Sequence, residues 1–346
     1  MIRFFRKLHL LAWLPLFVLI MVGCRHKDLC LHHPHEVVLK VEFNWQNAPQ
    51  ANPQGMCVFF YPVEGGRPVR YDFKGTAGGE IELTVGQYNV VCYNNDTEAI
   101  LFSYSDDFAK HNAYTREGGL FEPVYGSAAA PRIMASGSEE ERIVITPEML
   151  WGCATFDVEI TDTGISYTCI PYSSEIENYV YVTREEHIIT LYPTDYICHY
   201  SYEIRDVSNI KYASQMCASI SGMAGGVTFA TGEVYKESVT LPLPATIMQE
   251  SATVYGEFLT FGHSLSNPDP HKMLLFVWMN NGDKFYFGEG SEKFDVTSQI
   301  HNAPNPKRVH LIIEGLDLPK PIMNGGGYKP SVDDWEIVWD DINMGT

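Results

Sequence analysis

From Glu36 onward, apolar residues recur with the two-residue period of a strand and nowhere over a long stretch with the 3.6-residue period of a helix. This texture restricts the fold more than any motif does. Residues 80–85 (EIELTV) and 154–160 (ATFDVEI) alternate cleanly, and residues 37–45 begin apolar and then place Val41, Phe43 and Trp45 on one face. Residues 56–63 (MCVFFYPV) are a continuous apolar run of strand length, the pattern of a buried strand. Twenty Tyr and 18 Phe, with frequent β-branched residues, push the same way, because such side chains suit a pleated surface. Gly, Pro and Asn punctuate the runs at the spacing of an antiparallel sandwich. Residues 281–283 (NGD) between two apolar runs signal a tight hairpin.

With 346 residues and 45% hydrophobic composition, the chain has enough apolar material for two ordinary domains. The strand series divides at residues 147–152 (PEMLWG), which read as a hinge. The expected organisation is a first sandwich over 36–146, a second over 147–317, and a Pro/Gly-rich segment with a last strand over 318–346. Within the first, residues 103–140 read mostly as loop, with one helical turn near residues 106–111. The irregular stretch 207–223 has room for a short helix. The expectation is all-β: two tandem antiparallel β-sandwich domains with few short helices. Residues 335–343 (WEIVWDDIN) are the last strand, with Trp335, Ile337 and Trp339 on one face. That strand either completes its own sandwich or is offered to a partner.

The first 24 residues are of another kind. Arg3, Arg6 and Lys7 precede a mostly apolar run over 8–22, too short for the roughly 20 residues that span a bilayer. The run ends in Met21-Val22-Gly23-Cys24. A cysteine directly after two apolar residues and a glycine resembles a bacterial lipobox, so residues 1–23 read as a lipoprotein signal peptide and Cys24 as the lipidated residue. The alternatives are a plain signal peptide or a short anchor helix. Residues 24–35 form a polar tether carrying His26, His32, His33 and His35; their spacing is too compressed for a standard zinc pattern, though such tracts bind metal loosely.

Net charge is −19, and −22 once Arg3, Arg6 and Lys7 leave with the signal. Such a field repels phosphate backbones, which argues against a nucleic-acid partner and leaves membrane attachment to acyl chains on Cys24. Beyond Cys24 there are seven cysteines and no CxxC, so no zinc ribbon or thioredoxin-like motif is present. Most sit in apolar strand runs, where a free thiol acts as a small core residue; one or two bridges stay open.

No catalytic, cofactor-binding or metal-ligating constellation is legible, and the chain reads as a non-enzyme. Residues 262–266 (GHSLS) lack the last glycine of a nucleophile elbow. Glu186-His187 lacks the second histidine of a zincin, and neither G-x-G-x-x-G nor a P-loop occurs. Asp106-Asp107, Asp333-Asp334 and Asp340-Asp341 are paired carboxylates without a calcium-loop frame. Aromatics on sheet faces could form a sugar platform but serve more often as core.

Taken together, residues 29–35, 218–229 (ASISGMAGGVTF), 255–263 (YGEFLTFGH), 294–300 (FDVTSQI) and 316–322 (LDLPKPI) with the following glycine run resemble the Bacteroidetes fimbrillin-like lipoproteins, in particular a branch of two-domain members. The resemblance covers essentially the whole mature chain. It implies two transthyretin-like β-sandwich domains and export to the outer membrane on an acylated (palmitoylated) cysteine. It also implies assembly with fimbrial subunits by β-strand addition at the cell surface. Polymerising stalk subunits of this kind carry an arginine-directed cleavage site between their first strands. Arg67, Arg70, Arg116 and Arg132 are the loop arginines here, and none stands in a recognisable site, which favours an anchor or accessory subunit that keeps Cys24. The second reading is an outer-membrane binding module for glycan or a host ligand.

Overall fold

The computed structural model describes residues 36–126, 141–169, 180–321 and 336–337. Cys24, the tether histidines, Arg132, both C-terminal Asp pairs, Trp335 and Trp339 lie outside the described residues.

In chain order the first strands are β1 (Glu36–Phe43), β2 (Gly55–Pro62), β3 (Val69–Lys74), β4 (Gly78–Thr84) and β5 (Gly86–Asn94). An excursion follows: β6 (Ile100–Ser103), β7 (Asn112–Thr115), a short helix α1 (Glu122–Tyr125) and β8 (Arg142–Ile143). Next come β9 (Trp151–Thr161), β10 (Gly164–Cys169), β11 (Val180–Arg184), β12 (Ile188–Leu191) and β13 (Thr194–Asp195). The remainder is β14 (Cys198–Ser208), β15 (Ala213–Ala224), β16 (Gly226–Thr228), β17 (Ser238–Pro244), β18 (Thr246–Met248), β19 (Thr253–Thr260), β20 (Met273–Met279), β21 (Lys284–Phe287), helix α2 (Thr297–His301), β22 (Arg308–Asp317) and β23 (Glu336–Ile337).

The first sandwich packs a three-stranded sheet, β12-β1-β4, on a larger one ordered β11-β10-β9-β5-β2-β3, with β13 added to β9. Leu39, Val41, Phe43, Met56, Val58, Phe60, Ile81, Leu83 and Tyr167 fill its core. The second packs β18-β19-β14-β22 on β23-β21-β20-β15-β17-β8 around Tyr202, Ile204, Ile220, Leu241, Leu275 and Leu311. The expected all-β architecture is therefore present. Most pairings are antiparallel; β1–β12, β14–β22, β8–β17 and β21–β23 are parallel.

The expected division at residue 147 needs correction. Alternation alone places residues 147–191 in the second domain, but the hydrogen-bond ladders place them in the first: β9 pairs with β5, and β12 runs alongside β1. The chain crosses between Asp195 and Cys198. The excursion over 96–146 causes the misreading. Its strands leave the first sandwich, β6 and β7 joining β16, and β8 joining β17. Local periodicity reports that a strand exists, whereas sheet membership is set by non-local partners. Residues 147–152 are accordingly no exposed hinge; Leu150 is fully buried.

The stretch 207–223 ends β14 and holds a short helix, the 3₁₀ turn Ile210–Tyr212, but most of it is the long strand β15, flanked by β17 and β20 and buried from Met216 to Ala224. A strand buried on both faces loses its alternation, so its period cannot announce it. The hairpin at 281–283 forms as expected, with Trp278 opposite Lys284, the Met279 N–H donating to Asp283 O, and Gly282 at φ +92°.

Strand β2 is apolar throughout because both of its faces are covered. Met56, Val58 and Phe60 point into the first core. Cys57, Phe59 and Tyr61 point outward, with Val91 and Tyr93 of β5, onto Ile100, Ala113, Leu150, Ile197, Val227, Phe229 and Phe261. This second layer is an apolar interface between the two sandwiches. The Tyr93 and Phe229 rings stack there at 4.7 Å, and each fully buried large side chain contributes about 1.5–3 kcal/mol of transfer free energy. The α1 segment plays the same part on the outer face of the second sandwich, where Phe121 meets Phe276 and Trp278 edge-on.

Candidate functional site

The residues expected to carry function lie at the two ends of the chain. At the N-terminal end, β1 begins twelve residues after Cys24. It is the middle strand of its sheet, antiparallel to β4 over Glu36–Glu42 and parallel to β12 over Lys40–Phe43. Leu39 and Val41 are fully buried. The β1–β2 connection, residues 44–54 (NWQNAPQANPQ), contains no arginine or lysine. Arg67, in the exposed loop after β2, is the first arginine past β1. Arg70 lies on β3 and makes a 2.7 Å ion pair with Asp72, and Arg116 makes one with Glu122 at 2.7 Å.

At the C-terminal end, Glu336 and Ile337 pair in parallel with Phe285 and Tyr286 and add a sixth strand to the edge of the β21-β20-β15-β17-β8 sheet. Ile337 is thus at a sheet edge of its own chain.

The other sequence candidates are not assembled for chemistry. Ser264 Oγ bonds Ser266 Oγ at 2.9 Å, and His187 Nε2 lies 2.6 Å from Thr161 O. Asp107 is held by Lys110 at 2.8 Å, an interaction that pulls its carboxyl below the ordinary carboxylate range. The Trp45 indole N–H donates to Thr76 O.

Two histidine settings were not legible in the sequence. The first is His111, fully buried in the layer between the sandwiches. Tyr61 Oη lies 2.6 Å from Nδ1 and Tyr93 Oη 3.2 Å from Nε2. Tyr61 donates to Ser105 O, so it accepts from Nδ1–H, and Tyr93 donates to Nε2. Every ring nitrogen is satisfied in the neutral form. Burial, with the Arg70 charge second, lowers the pKa to about 4.

The second is a cluster. His263 follows β19, His271 precedes β20 and His301 closes α2, and one ring nitrogen of each lies within 4.8 Å of the others. The ring centroids form a triangle with sides 4.9, 5.0 and 5.1 Å. His271 Nε2 and His301 Nε2 are 3.1 Å apart, while His271 Nδ1 faces Ser221 O at 3.4 Å. The Thr297 hydroxyl accepts from the His271 backbone N–H at 2.8 Å and ties β20 to α2. Gly222 (φ +77°) makes room, since a Cβ there would sit 2.7 Å from His271 Nδ1. Burial first, then the neighbouring imidazoles, holds His271 down at about 4; burial lowers His263 too.

Fold and site together define a two-sandwich β protein whose sandwiches share a buried aromatic layer. Residues 23–244 match the family described as a domain of unknown function, DUF5119, and the chain belongs to that family. A relative from Bacteroides ovatus, named as a candidate fimbrium anchoring subunit, Fim4B, is 32% identical over 99 residues, covering 28% of this chain and 29% of the relative. The chain thus matches about three-tenths of that protein's length. A solved structure of a candidate adhesin from Bacteroides ovatus shares the fold, with a TM-score of 0.57 at 19% identity over 83% of this chain and 94% of that one. The fimbrial anchor protein Mfa2 from Porphyromonas gingivalis aligns with a TM-score of 0.44 at 14% identity, over 80% and 91% of the respective chains.

Proposed function

We propose that this protein is an outer-membrane lipoprotein, held at the cell surface by acyl chains on Cys24, that serves as a fimbrial anchor or accessory subunit in adhesion. The observation that carries this reading is the setting of β1. A subunit that gives up its first strand needs a cut in the β1–β2 connection, and that connection offers no basic residue. A cut at Arg67 would remove β2 as well, a strand whose six central residues are buried against both layers. The tether and Cys24 therefore stay continuous with a strand that the core retains. The 99-residue similarity to a protein named as a fimbrium anchoring subunit supports the same role. The role is structural, with no catalysis and no cofactor invoked. Residues 335–343 act as the partner strand: in the free protein Glu336 and Ile337 pair along the β21 edge, and on assembly that edge or the strand itself is open to β-strand addition.

Cells carrying the lipidated chain are labelled with a fatty-acid analogue, crosslinked intact and subjected to pull-down. The expected result is label on the wild type, none on Cys24→Ala, and fimbrial subunits among the captured proteins. Label on the mutant, or capture without any fimbrial subunit, overturns the proposal.

A second reading, a glycan- or host-ligand-binding module, is favoured by a groove of about 430 Å³ over β14, β19 and β22 whose lining includes His199, Glu257, Arg308 and His310. Hits on a glycan array that are lost in Arg308→Ala would select it.

A further inference from the structure

We propose that His263, His271 and His301 form a binding site for one divalent first-row transition ion of the zinc class. Three imidazoles with one nitrogen each within 4.8 Å of the others, and no fourth protein ligand grouped with them among the described residues, supply the donor set of an open tetrahedral site. Neutral imidazole is a borderline ligand that suits Zn²⁺, Cu²⁺ and Ni²⁺ and excludes the hard cations Ca²⁺ and Mg²⁺.

The geometry is close to what ligation requires. Two nitrogens at 2.0–2.1 Å from a tetrahedral ion stand about 3.3 Å apart, with their ring centroids about 5 Å apart. The observed Nε2–Nε2 separation is 3.1 Å and the centroid separations are 4.9–5.1 Å. His271 is oriented as a ligand: its Nδ1–H faces the Ser221 carbonyl, which leaves the Nε2 lone pair toward the cluster, the outer-shell arrangement that fixes the tautomer of metal-binding histidines. Without an ion, His301 Nε2–H donates to His271 Nε2. On ligation that proton moves to His301 Nδ1, a change of tautomer with no net proton release. His263 Nε2 is buried with no hydrogen-bond partner. An orphaned buried nitrogen is costly, and an ion would satisfy it. His263 sits in the loop after β19, so a side-chain rotation brings its nitrogen the last distance inward. His301 is exposed, so the open position reaches solvent. An ion here would clamp the ends of β19 and β20 to α2.

The test uses the full lipidated chain in detergent, stripped with EDTA and titrated calorimetrically with ZnCl₂. A background in which His26, His32, His33 and His35 are alanine removes the tether as a competitor. The expected result is one Zn²⁺ per chain in that background and a zinc-dependent rise in melting temperature. Cobalt is expected to add a visible absorption band of four-coordinate type. His301→Ala, on an exposed helix end, and His263→Ala should keep the strand-rich circular dichroism and bind zinc at least about tenfold more weakly. Absence of zinc binding in the tether background, or binding unchanged in both single variants, overturns the site.

Discussion

At the level of single residues, histidine identity said little and histidine environment said much. The N-terminal histidines stand out in the sequence, yet the buried or clustered ones are His111, His263, His271 and His301, all scattered singly along the chain. His111 makes a prediction about pH. Its pKa falls from about 6.5 in the unfolded chain to about 4 when folded, so the unfolded state binds the proton first. Its contribution is present in full above pH 6.5 and is lost as pH falls from there toward 4. The loss is on the order of 2–3 kcal/mol by linkage. His271 adds a loss in the same window. Chemical denaturation at pH 7.5 and pH 4.5 should show His111→Gln with a smaller drop than the wild type, at the cost of lower stability at pH 7.5. An identical drop in both proteins would remove His111 as the cause.

At the level of elements, the informative ones are those whose neighbours come from far along the chain. β1 is held by β4 on one edge and by β12, nearly 150 residues away, on the other. β23 is an added edge strand with two described pairs. Deleting residues 330–346 should therefore leave a folded protein, exposing the β21 edge and lowering the melting temperature by a few degrees. Replacing Val41 by Asp should abolish folding, because it buries an unpaired charge in the first core. Thermal scans of the two variants separate these outcomes. If the deletion leaves both stability and fimbrial capture unchanged, the C-terminal strand has no structural role.

At the level of the whole molecule, the layer containing Phe59, Tyr61, Tyr93, His111 and Phe229 joins the two sandwiches through shared buried contacts, and the expectation is that they unfold together. Its rings come from β2, β5 and the stretch after β16, so neither sandwich buries it alone. Calorimetry of the wild type should show a single transition. Phe229→Ala removes the ring stacked on Tyr93 and should cost about 3–5 kcal/mol. It should also broaden the transition or split it in two. A split already present in the wild type would show that the layer does not couple the sandwiches.

The sequence by itself determined the strand texture, the tight turn at Gly282 and the buried character of β2. Each rests on local chemistry: side-chain alternation, the φ > 0 that a hairpin demands, or a contiguous apolar run. Only the tertiary structure decided which sheet owns β9 to β12, that β15 is a strand, that β6, β7 and β8 leave the first sandwich, and that His263, His271 and His301 meet. The reason is common to all four. Sheet pairing and side-chain clusters join residues separated by more than a hundred positions, and no local period or spacing records such a contact.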